Sequence, residues 1–333
     1  MVTGIDSESG DVVLTVKPIL RAEEVIPSRF GDLLWASARG DNTVKRIELA
    51  TGAITASVPV DPERKGIQPE SIMKLARYLI RLTGRPEYGD GLERTLYNTV
   101  LATRLPNSDG DYPYYSDYGA GAEKKYYPRK WPCCSGTLVQ GVADYVLNVY
   151  FHDDDTLLVN LFVASEVTWK RAGGDVAIVQ DTAYPATDTV RLTVREPGNG
   201  RFTMKLRIPA WAKGATLRVN GKSENVVPGE LAIAMSRWKA GDTIDVVVPQ
   251  PLRTLSIDSE NPKLAALMRG AVMYVGLNPW DGIGGEPLDL PGALSPTLGS
   301  TQAYHAMIAG RDLVFVPYFT VDTERYNTYF RIA

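Results

Sequence analysis

The sequence predicts a multidomain α+β protein, because the spacing of its apolar residues changes twice along the chain. β-Strand patterns fill residues 1–66, helical spacing dominates 67–152, and two-residue alternation with short apolar runs fills 153–262 and 263–333. With 333 residues, the chain is long enough to form two or three domains with apolar cores of their own.

An internal repeat marks the N-terminal segment. Residues 5–13 are echoed by residues 47–55, where Gly10 and Gly52 take equivalent places with a period of 42 residues. Four-stranded propeller blades repeat every ~40–45 residues. Residues 1–66 therefore resemble one blade of a YVTN-type or streptogramin-lyase-type β-propeller. An ordinary β-hairpin decoration fits the same pattern equally well. The strands expected inside the repeat are 32–37 and 43–47.

Three stretches of helical spacing lie within residues 67–152. We expect the first helix after Pro69 with its end at Thr83-Gly84, and the second from Gly89. The third is expected from about Gly136 to Tyr150, with Val142, Val146 and Val149 on one apolar face. A segment rich in Gly, Asp and Tyr, residues 107–130, separates the second helix from the third. Loops longer than ~12–15 residues are usually functional or disordered, and this one leads directly into the two cysteines of the chain.

The two cysteines are neighbours, Cys133 and Cys134. A disulfide between adjacent residues would close a strained ring, which favours two free thiols or a metal site. Ser135 and Thr137 supply first-turn hydroxyls for the helix that follows, so the thiols are expected at a helix N-terminus, where a thiolate is favoured. A thiolate is both a nucleophile and a metal ligand. Two small buried residues at a helix start are the alternative, since free cysteine is among the most buried residue types.

Short strands separated by Gly, Asn and Pro turns follow from about residue 155. This regular pattern predicts a β-sandwich, followed by a further β-rich segment over 263–333. The strands expected in the first part are 156–163, 189–194, 202–208 and 243–248.

Composition narrows the classes of function. Charged residues make up 23% of the chain and the formal net charge is −3, which gives no electrostatic case for nucleic acid or an anionic membrane as a partner. No apolar run approaches the ~20 residues of a membrane span, and no signal-peptide pattern is visible at the N-terminus. We therefore expect a cytoplasmic protein, a location compatible with two unpaired cysteines.

From residue 67 onward, about four fifths of the chain, the sequence resembles glycoside hydrolase family 127, the β-L-arabinofuranosidase-like group. The motifs that carry the resemblance follow one another in the family's order. They are Pro69-Glu70-Ser71, Tyr88-Gly89-Asp90, Glu93-Arg94-Thr95-Leu96-Tyr97-Asn98, Cys133-Cys134-Ser135-Gly136-Thr137, and the stretches 165–169, 206–211, 219–221 and 317–330.

The resemblance implies a fold and a chemistry. Members of this family have an (α/α)6 barrel followed by β-sandwich domains, and they hydrolyse β-linked arabinofuranosides with retention. Residues 67–152 would then be helices of a partial (α/α) barrel. Cys133 would be the nucleophile, Glu70, Cys133 and Cys134 would bind zinc, and Tyr115 would contact the sugar. No residue matches the family's general acid/base.

The chain also departs from the family pattern. The family's Glu-x-Cys motif is Glu70-Ser71-Ile72 here, and isoleucine cannot bind zinc. About three helices are visible where a complete barrel has twelve, so we expect an oligomer or a partner chain to cover exposed helix faces. Two functions therefore stay open. One is a retaining zinc–cysteine glycoside hydrolase, and the other is a catalytically inactive family member whose β-sandwich binds carbohydrate or protein.

Overall fold

The fold is that of a computed structural model, which divides into two compact units, Met1–Gly84 and Arg85–Ala333. The described residues are 2–5, 12–16, 22–27, 33–38, 43–48, 53–59, 69–103, 109, 111, 113–117, 119–126, 140–277, 287–298, 302–308 and 311–333.

The described residues of the first unit form two antiparallel sheets and a helix. Its elements are β1 (Val2–Ile5), β2 (Val12–Val16), β3 (Ala22–Pro27), β4 (Leu33–Ala38), β5 (Thr43–Glu48), β6 (Ile54–Pro59) and α1 (Pro69–Thr83). Strand β1 pairs with β2, and β3 to β6 pair in chain order. The two strands predicted at 32–37 and 43–47 are confirmed. The propeller-blade interpretation stays a prediction.

Helix α1 is amphipathic and ends at a glycine. Met73, Ala76 and Ile80 are buried on one side, whereas Leu82 is exposed. Gly84 adopts a φ of 64° and its amide donates to the carbonyl of Ile80 at 2.8 Å. Because only glycine enters this left-handed region without steric cost, the helix stops where the sequence predicts.

The second unit begins with helical elements. Those described are α2 (Pro86–Thr95), a π-helical turn (Leu96–Val100), α3 (140–144) and a 3₁₀ turn (Tyr145–Asn148). Helix α2 begins at Pro86, before the predicted Gly89, because proline suits the first helical position. Its inward side continues through the π-turn, where Leu96 and Tyr97 are buried.

The helix predicted from about Gly136 to Tyr150 is described from residue 140 and ends earlier than expected. Tyr150 already belongs to a strand, and the carbonyl of Val149 accepts from the amide of Asn160 at 2.9 Å. Val142 and Val146, predicted to share an apolar face with Val149, are exposed, while Val149 is buried.

An antiparallel hairpin lies inside the predicted tyrosine-rich loop. It consists of β7 (Pro113–Ser116) and β8 (Lys124–Tyr126). Residues 107–130 are therefore not a structureless loop, because part of the segment pairs with itself.

Two sheets follow. Their strands are β9 (Tyr150–His152), β10 (Thr156–Val159), β11 (Ser165–Trp169), β12 (Val176–Thr182), β13 (Thr189–Pro197), β14 (Arg201–Arg207), β15 (Thr216–Val219), β16 (Lys222–Glu224), β17 (Leu231–Arg237) and β18 (Thr243–Val247). One sheet has the order β17-β14-β10-β9, and the other β11-β12-β13-β18-β15-β16. The pair β10–β14 is parallel, while the others in these two sheets are antiparallel.

A third sheet is formed by the C-terminal part of the chain. Its strands are β19 (Leu252–Ser256), β20 (Leu264–Arg269), β21 (Val272–Leu277), β22 (Ser295–Pro296), β23 (Tyr304–Ile308), β24 (Arg311–Pro317), β25 (Tyr326–Asn327) and β26 (Tyr329–Arg331). The main order is β19-β20-β21-β24-β23-β22, with β25 on β21 and β26 on β20.

One large apolar cluster joins the two sheets formed by strands β9 to β18. Inward residues of β14, such as Met204 and Leu206, belong to the same cluster as Leu192 of β13 and Ile244 of β18. Alternate residues of these strands are buried, as the two-residue periodicity predicts. All four strands predicted for this region are present, although the first ends at Val159.

The described residues form mostly β-sheet with a few helices, which confirms a multidomain α+β protein. The partial barrel and the four domain boundaries stay predictions; the first compact unit also takes in helix α1, which the sequence placed with the later helices. Among the described residues, none of the helices has the length and apolar character to cross a membrane.

Leu206→Ala should destabilise the two-sheet core. Leu206 is fully buried, and a buried Leu→Ala change costs about 2–5 kcal/mol because transfer energy is lost and a cavity is left. Ile233→Ala on neighbouring β17 is the matched control, since Ile233 is exposed. Urea unfolding followed by tryptophan fluorescence measures both, and equal losses would contradict the assigned inward and outward faces.

Candidate functional site

The residues predicted to carry the chemistry fall largely outside the described part of the chain. Cys133 and Cys134 lie outside it. Glu70 lies in the first turn of α1 and Tyr115 lies in β7 by their backbones, but their side chains are also outside the described residues. Their roles, and their predicted convergence, therefore stay predictions.

The described residues contain a buried charged cluster around Arg207, the last residue of β14. Its guanidinium binds Asp90 Oδ1 and Glu93 Oε2 of α2, each at 2.5 Å. Its Nε donates to the carbonyl of Asn160 at 2.7 Å. The second oxygen of Asp90 accepts from the amide of Ala210 at 3.0 Å. The cluster thus ties α2 to the sheet that contains β14.

Burial makes these ion pairs decisive for where α2 lies. The exposed fraction is 0% for Arg207, 1% for Glu93 and 7% for Asp90. Burial alone would lower the pKa of Arg207, but the carboxylates of Glu93 and Asp90 outweigh it and raise that pKa. Arg207 therefore stays charged, and each member of the cluster neutralises the cost of burying the others.

Two tyrosines border the cluster. Burial first, and then the charge of Glu93, raise the pKa of Tyr184 well above its usual value. The same two causes, in the same order, raise the pKa of Tyr97. Both hydroxyls therefore remain protonated at neutral pH. With no exposed member, the cluster is suited to holding elements in place and unsuited to touching a substrate.

Glycine at position 89 is required by this close packing. A Cβ built on Gly89 would overlap the side chains of Arg207 and Asn160. The Tyr88-Gly89-Asp90 motif therefore combines a residue that lets the helix approach with a residue that binds Arg207.

Side-chain amides connect the cluster to the helix that follows the cysteine pair. Asn160 Nδ2 donates to the carbonyl of Asn148 at 2.9 Å, and Asn148 Nδ2 donates to the carbonyl of Asp144 at 2.8 Å. Asp144 is the last residue of α3. The end of α3 is thereby linked, through Asn160, to the same arginine that holds α2.

A third side-chain amide, that of Asn98, fixes the π-turn to the third sheet. Asn98 Nδ2 donates to the carbonyl of Ala271 at 2.8 Å, and the amide of Met273 donates to Asn98 Oδ1 at 2.7 Å. One asparagine thus pairs with the backbone at the start of β21, much as a neighbouring strand would.

The role of Arg207 was not predicted from the sequence, although its motif was recognised. The alternation along β14 puts Arg207 out of phase with buried Met204 and Leu206, which suggests an exposed side chain. It is buried because α2 covers that end of the sheet. The available signal was the spacing of Asp90 and Glu93, which places two carboxylates on one face of a helix.

Arg207→Met should destabilise the second unit strongly. The change leaves Asp90 and Glu93 buried without their counter-charge, and breaking a buried pair costs about 3–5 kcal/mol. Arg191→Met is the control, because the Arg191–Asp245 pair lies at the surface and its loss should have little effect. Urea unfolding compares the two, and a small loss for Arg207→Met would show that the cluster does not hold α2.

Within the described residues, no group of three or more His, Cys, Asp or Glu side chains is arranged to hold a metal ion. Glu70, Cys133 and Cys134, the predicted ligands, are not among the side chains described, so this finding does not bear on them.

Comparison with solved structures identifies proteins of similar fold. A GH127 β-L-arabinofuranosidase from Geobacillus stearothermophilus T6 has a TM-score of 0.64 and 23% identity, over 79% of this chain and 49% of that one. A protein described as a glycoside hydrolase has a TM-score of 0.64 and 20% identity, over 87% and 56%. The GH127 β-arabinofuranosidase BT3674 has a TM-score of 0.62 and 20% identity, over 80% and 49%. This chain thus spans about half the length of these proteins.

Comparison with curated protein sequences gave no match. Two family models match the sequence itself. The GH127 β-L-arabinofuranosidase catalytic domain matches residues 71–146, and the middle domain of the same family matches residues 156–250. Together these stretches span just over half of the chain, and they include α2, Arg207 and the cysteine pair. The chain therefore belongs to glycoside hydrolase family 127.

Proposed function

We propose that this protein is a retaining glycoside hydrolase that acts on β-L-arabinofuranosides or related plant-derived sugars. The observation that carries the proposal is the match of the GH127 catalytic-domain model to residues 71–146, a stretch that contains Tyr115, Cys133 and Cys134. The similar solved structures named as GH127 arabinofuranosidases support it at the level of the fold.

In the proposed reaction, Cys133 is the nucleophile. Its thiolate attacks the anomeric carbon as the leaving oxygen takes a proton, and water then releases the sugar from the cysteine with overall retention. Tyr115 contacts the sugar. The general acid that protonates the leaving oxygen has no assigned residue in this chain.

Glu70, Cys133 and Cys134 are the proposed zinc ligands. Two thiolates and a carboxylate fit zinc by their chemistry, and three protein ligands with an open position are typical of catalytic zinc. Zinc bound there would keep the thiols deprotonated near neutral pH. A chain with Ile72 in place of the family's cysteine has one fewer thiolate to offer, so we expect it to hold zinc less tightly.

The described elements support the proposal as a scaffold. The hairpin β7–β8 precedes the cysteine pair in sequence and α3 follows it. The end of α3 is connected to Arg207 through Asn148 and Asn160. We propose further that α2 and α3 are helices of a partial (α/α) barrel and that the first two sheets form the β-sandwich of the family.

A binding function without catalysis is the second candidate. It is favoured by Ile72, which stands where the family's Glu-x-Cys motif has a cysteine. In that case, the protein would bind carbohydrate or a protein partner through its β-sheets.

Replacing the proposed nucleophile should abolish turnover. Cys133→Ala should lower kcat on an aryl β-L-arabinofuranoside by about a thousandfold or more, because the covalent step has no substitute. The measurement is release of the aryl alcohol, with NMR of the first-formed sugar to test retention. Thermal unfolding of the variant controls for folding.

Sugar binding by a wild-type protein that has no turnover, with zinc added, would support the binding function and reject the enzyme. Turnover that survives Cys133→Ala would reject the cysteine nucleophile.

Ile72→Cys should strengthen zinc binding. A third thiolate would restore the family's Glu-x-Cys pattern and complete a four-ligand set. Metal analysis after dialysis against a weak chelator should find more zinc retained by Ile72→Cys than by wild type. Ile72→Ser, which changes size and polarity with a poorer ligand, is the matched control. Equal retention in all three proteins would contradict a zinc site at Glu70 and the cysteine pair.

A further inference from the structure

The hairpin β7–β8 is joined to the C-terminal sheet by main-chain hydrogen bonds. The amide of Ala122 donates to the carbonyl of Tyr326, and the amide of Tyr326 donates to the carbonyl of Ala122, both at 2.9 Å. The amide of Gly121 donates to Asn327 Oδ1 at 2.8 Å. Residues about 200 positions apart are therefore fixed together, and an isolated antiparallel bridge joins the connection between β7 and β8 to β25 of the third sheet.

A buried lysine reinforces this junction. Lys124 is 4% exposed, although lysine is rarely buried to this extent. Its ammonium donates to the carbonyls of Tyr318 and Val321 at 2.9 and 2.7 Å and lies 4.4 Å from the centre of the Tyr318 ring. Burial of an ammonium is unfavourable without such partners, so the lysine can occupy this position only while the C-terminal segment is in place.

Two tyrosine hydroxyls complete the contact. The hydroxyls of Tyr318 and Tyr326 lie 3.1 Å apart, and that of Tyr326 donates to the carbonyl of Asp117 at 2.8 Å. Burial is the main cause that raises the pKa of Tyr318, so its hydroxyl stays protonated at neutral pH. We call Lys124, Tyr318 and Tyr326 the anchor cluster.

We propose that the anchor cluster makes the C-terminal sheet a positioning element for sugar binding. The hairpin that the cluster fixes carries Tyr115 on β7, and it is the last described element before the cysteine pair. Side chains that touch substrate need a supporting layer to hold them in productive geometry. Tyr318 and Tyr326 belong to the C-terminal segment and supply this layer from outside the catalytic-domain match, whereas Lys124 lies within that match.

The inference rests on the proposed function in naming the sugar and in taking Tyr115 as a residue that contacts it. The anchor cluster itself is read from described contacts. Its test therefore uses binding in a Cys133→Ala background, where turnover plays no part, together with the structural state of the hairpin.

Lys124→Met is the test variant, and Lys125→Met is the matched control. Methionine keeps the apolar stem of Lys124 and removes its three donors. Lys125 is the next residue of β8, but it is exposed and pairs with Asp117 at the surface. In the Cys133→Ala background, we expect Lys124→Met to raise the Kd for an aryl β-L-arabinofuranoside by about tenfold. Lys125→Met should leave the Kd within about twofold of the parent, because surface pairs contribute little.

Limited proteolysis supplies the second readout. The Lys124→Met variant should be cleaved within residues 113–126 faster than the parent protein, whereas the Lys125→Met variant should not. Tyr326→Phe, which loses the hydroxyl contacts to Asp117 and Tyr318, should weaken sugar binding in the same direction by a smaller factor. Faster cleavage with an unchanged Kd would overturn the inference and leave the cluster a purely structural device. An unchanged cleavage rate would also overturn it.

The outcome is separable from the proposed function. Wild-type protein without turnover would remove the hydrolase, yet a Kd that depends on Lys124 would still support the positioning role. If the parent binds no arabinofuranoside at all, the sugar-binding inference fails with the binding proposal, whatever the turnover of wild type.

Discussion

The buried pairing of Arg207 with Asp90 and Glu93 is the interaction on which the second unit depends. An arginine with no exposed surface is tolerated only because two carboxylates and a main-chain carbonyl receive its donors. That requirement fixes α2 against the end of β14. It also explains why Gly89 stands one residue before Asp90, since any side chain there would push the arginine away.

The same arginine is linked by hydrogen bonds to α3, the described helix that follows the cysteine pair in sequence. Through Asn160 and Asn148 it is connected to the end of α3, while the π-turn after α2 pairs with β21 through Asn98. The hairpin β7–β8 is held by the third sheet through Lys124. The described elements on both sides of residues 127–139 are thus fixed to β-sheets of the same unit.

The chain matches two domains of its family, and it spans about half the length of the similar solved structures. The catalytic and middle domains of glycoside hydrolase family 127 are matched in the family's order, and the fold resembles three solved glycoside hydrolases over half their length. The exposed Val142 of α3 and Val146 of the following 3₁₀ turn have the character of a helix face that a neighbouring element covers. The proposed chemistry therefore depends on the cysteine pair, and the rate of the proposed reaction depends on the elements that surround that pair.

The sequence by itself determined the order of structural types, most strands of the two-sheet core, the end of α1 at Gly84 and the family. These features are local, since periodicity, glycine conformation and short motifs act over a few neighbouring residues. It also named Glu70, Tyr115, Cys133 and Cys134 through the resemblance, and their roles stay predictions. Tertiary structure alone decided that Arg207 is buried, that a hairpin lies within the tyrosine-rich segment, and that Lys124 faces the C-terminal sheet. Arg207 and Asp90 are 117 positions apart, and Lys124 and Tyr318 are 194 apart. The alternation along a strand shows which residues share a side but not which element covers that side. A charged residue whose partner is this distant in sequence is therefore predicted to be exposed, and only the tertiary structure shows that it is buried and paired.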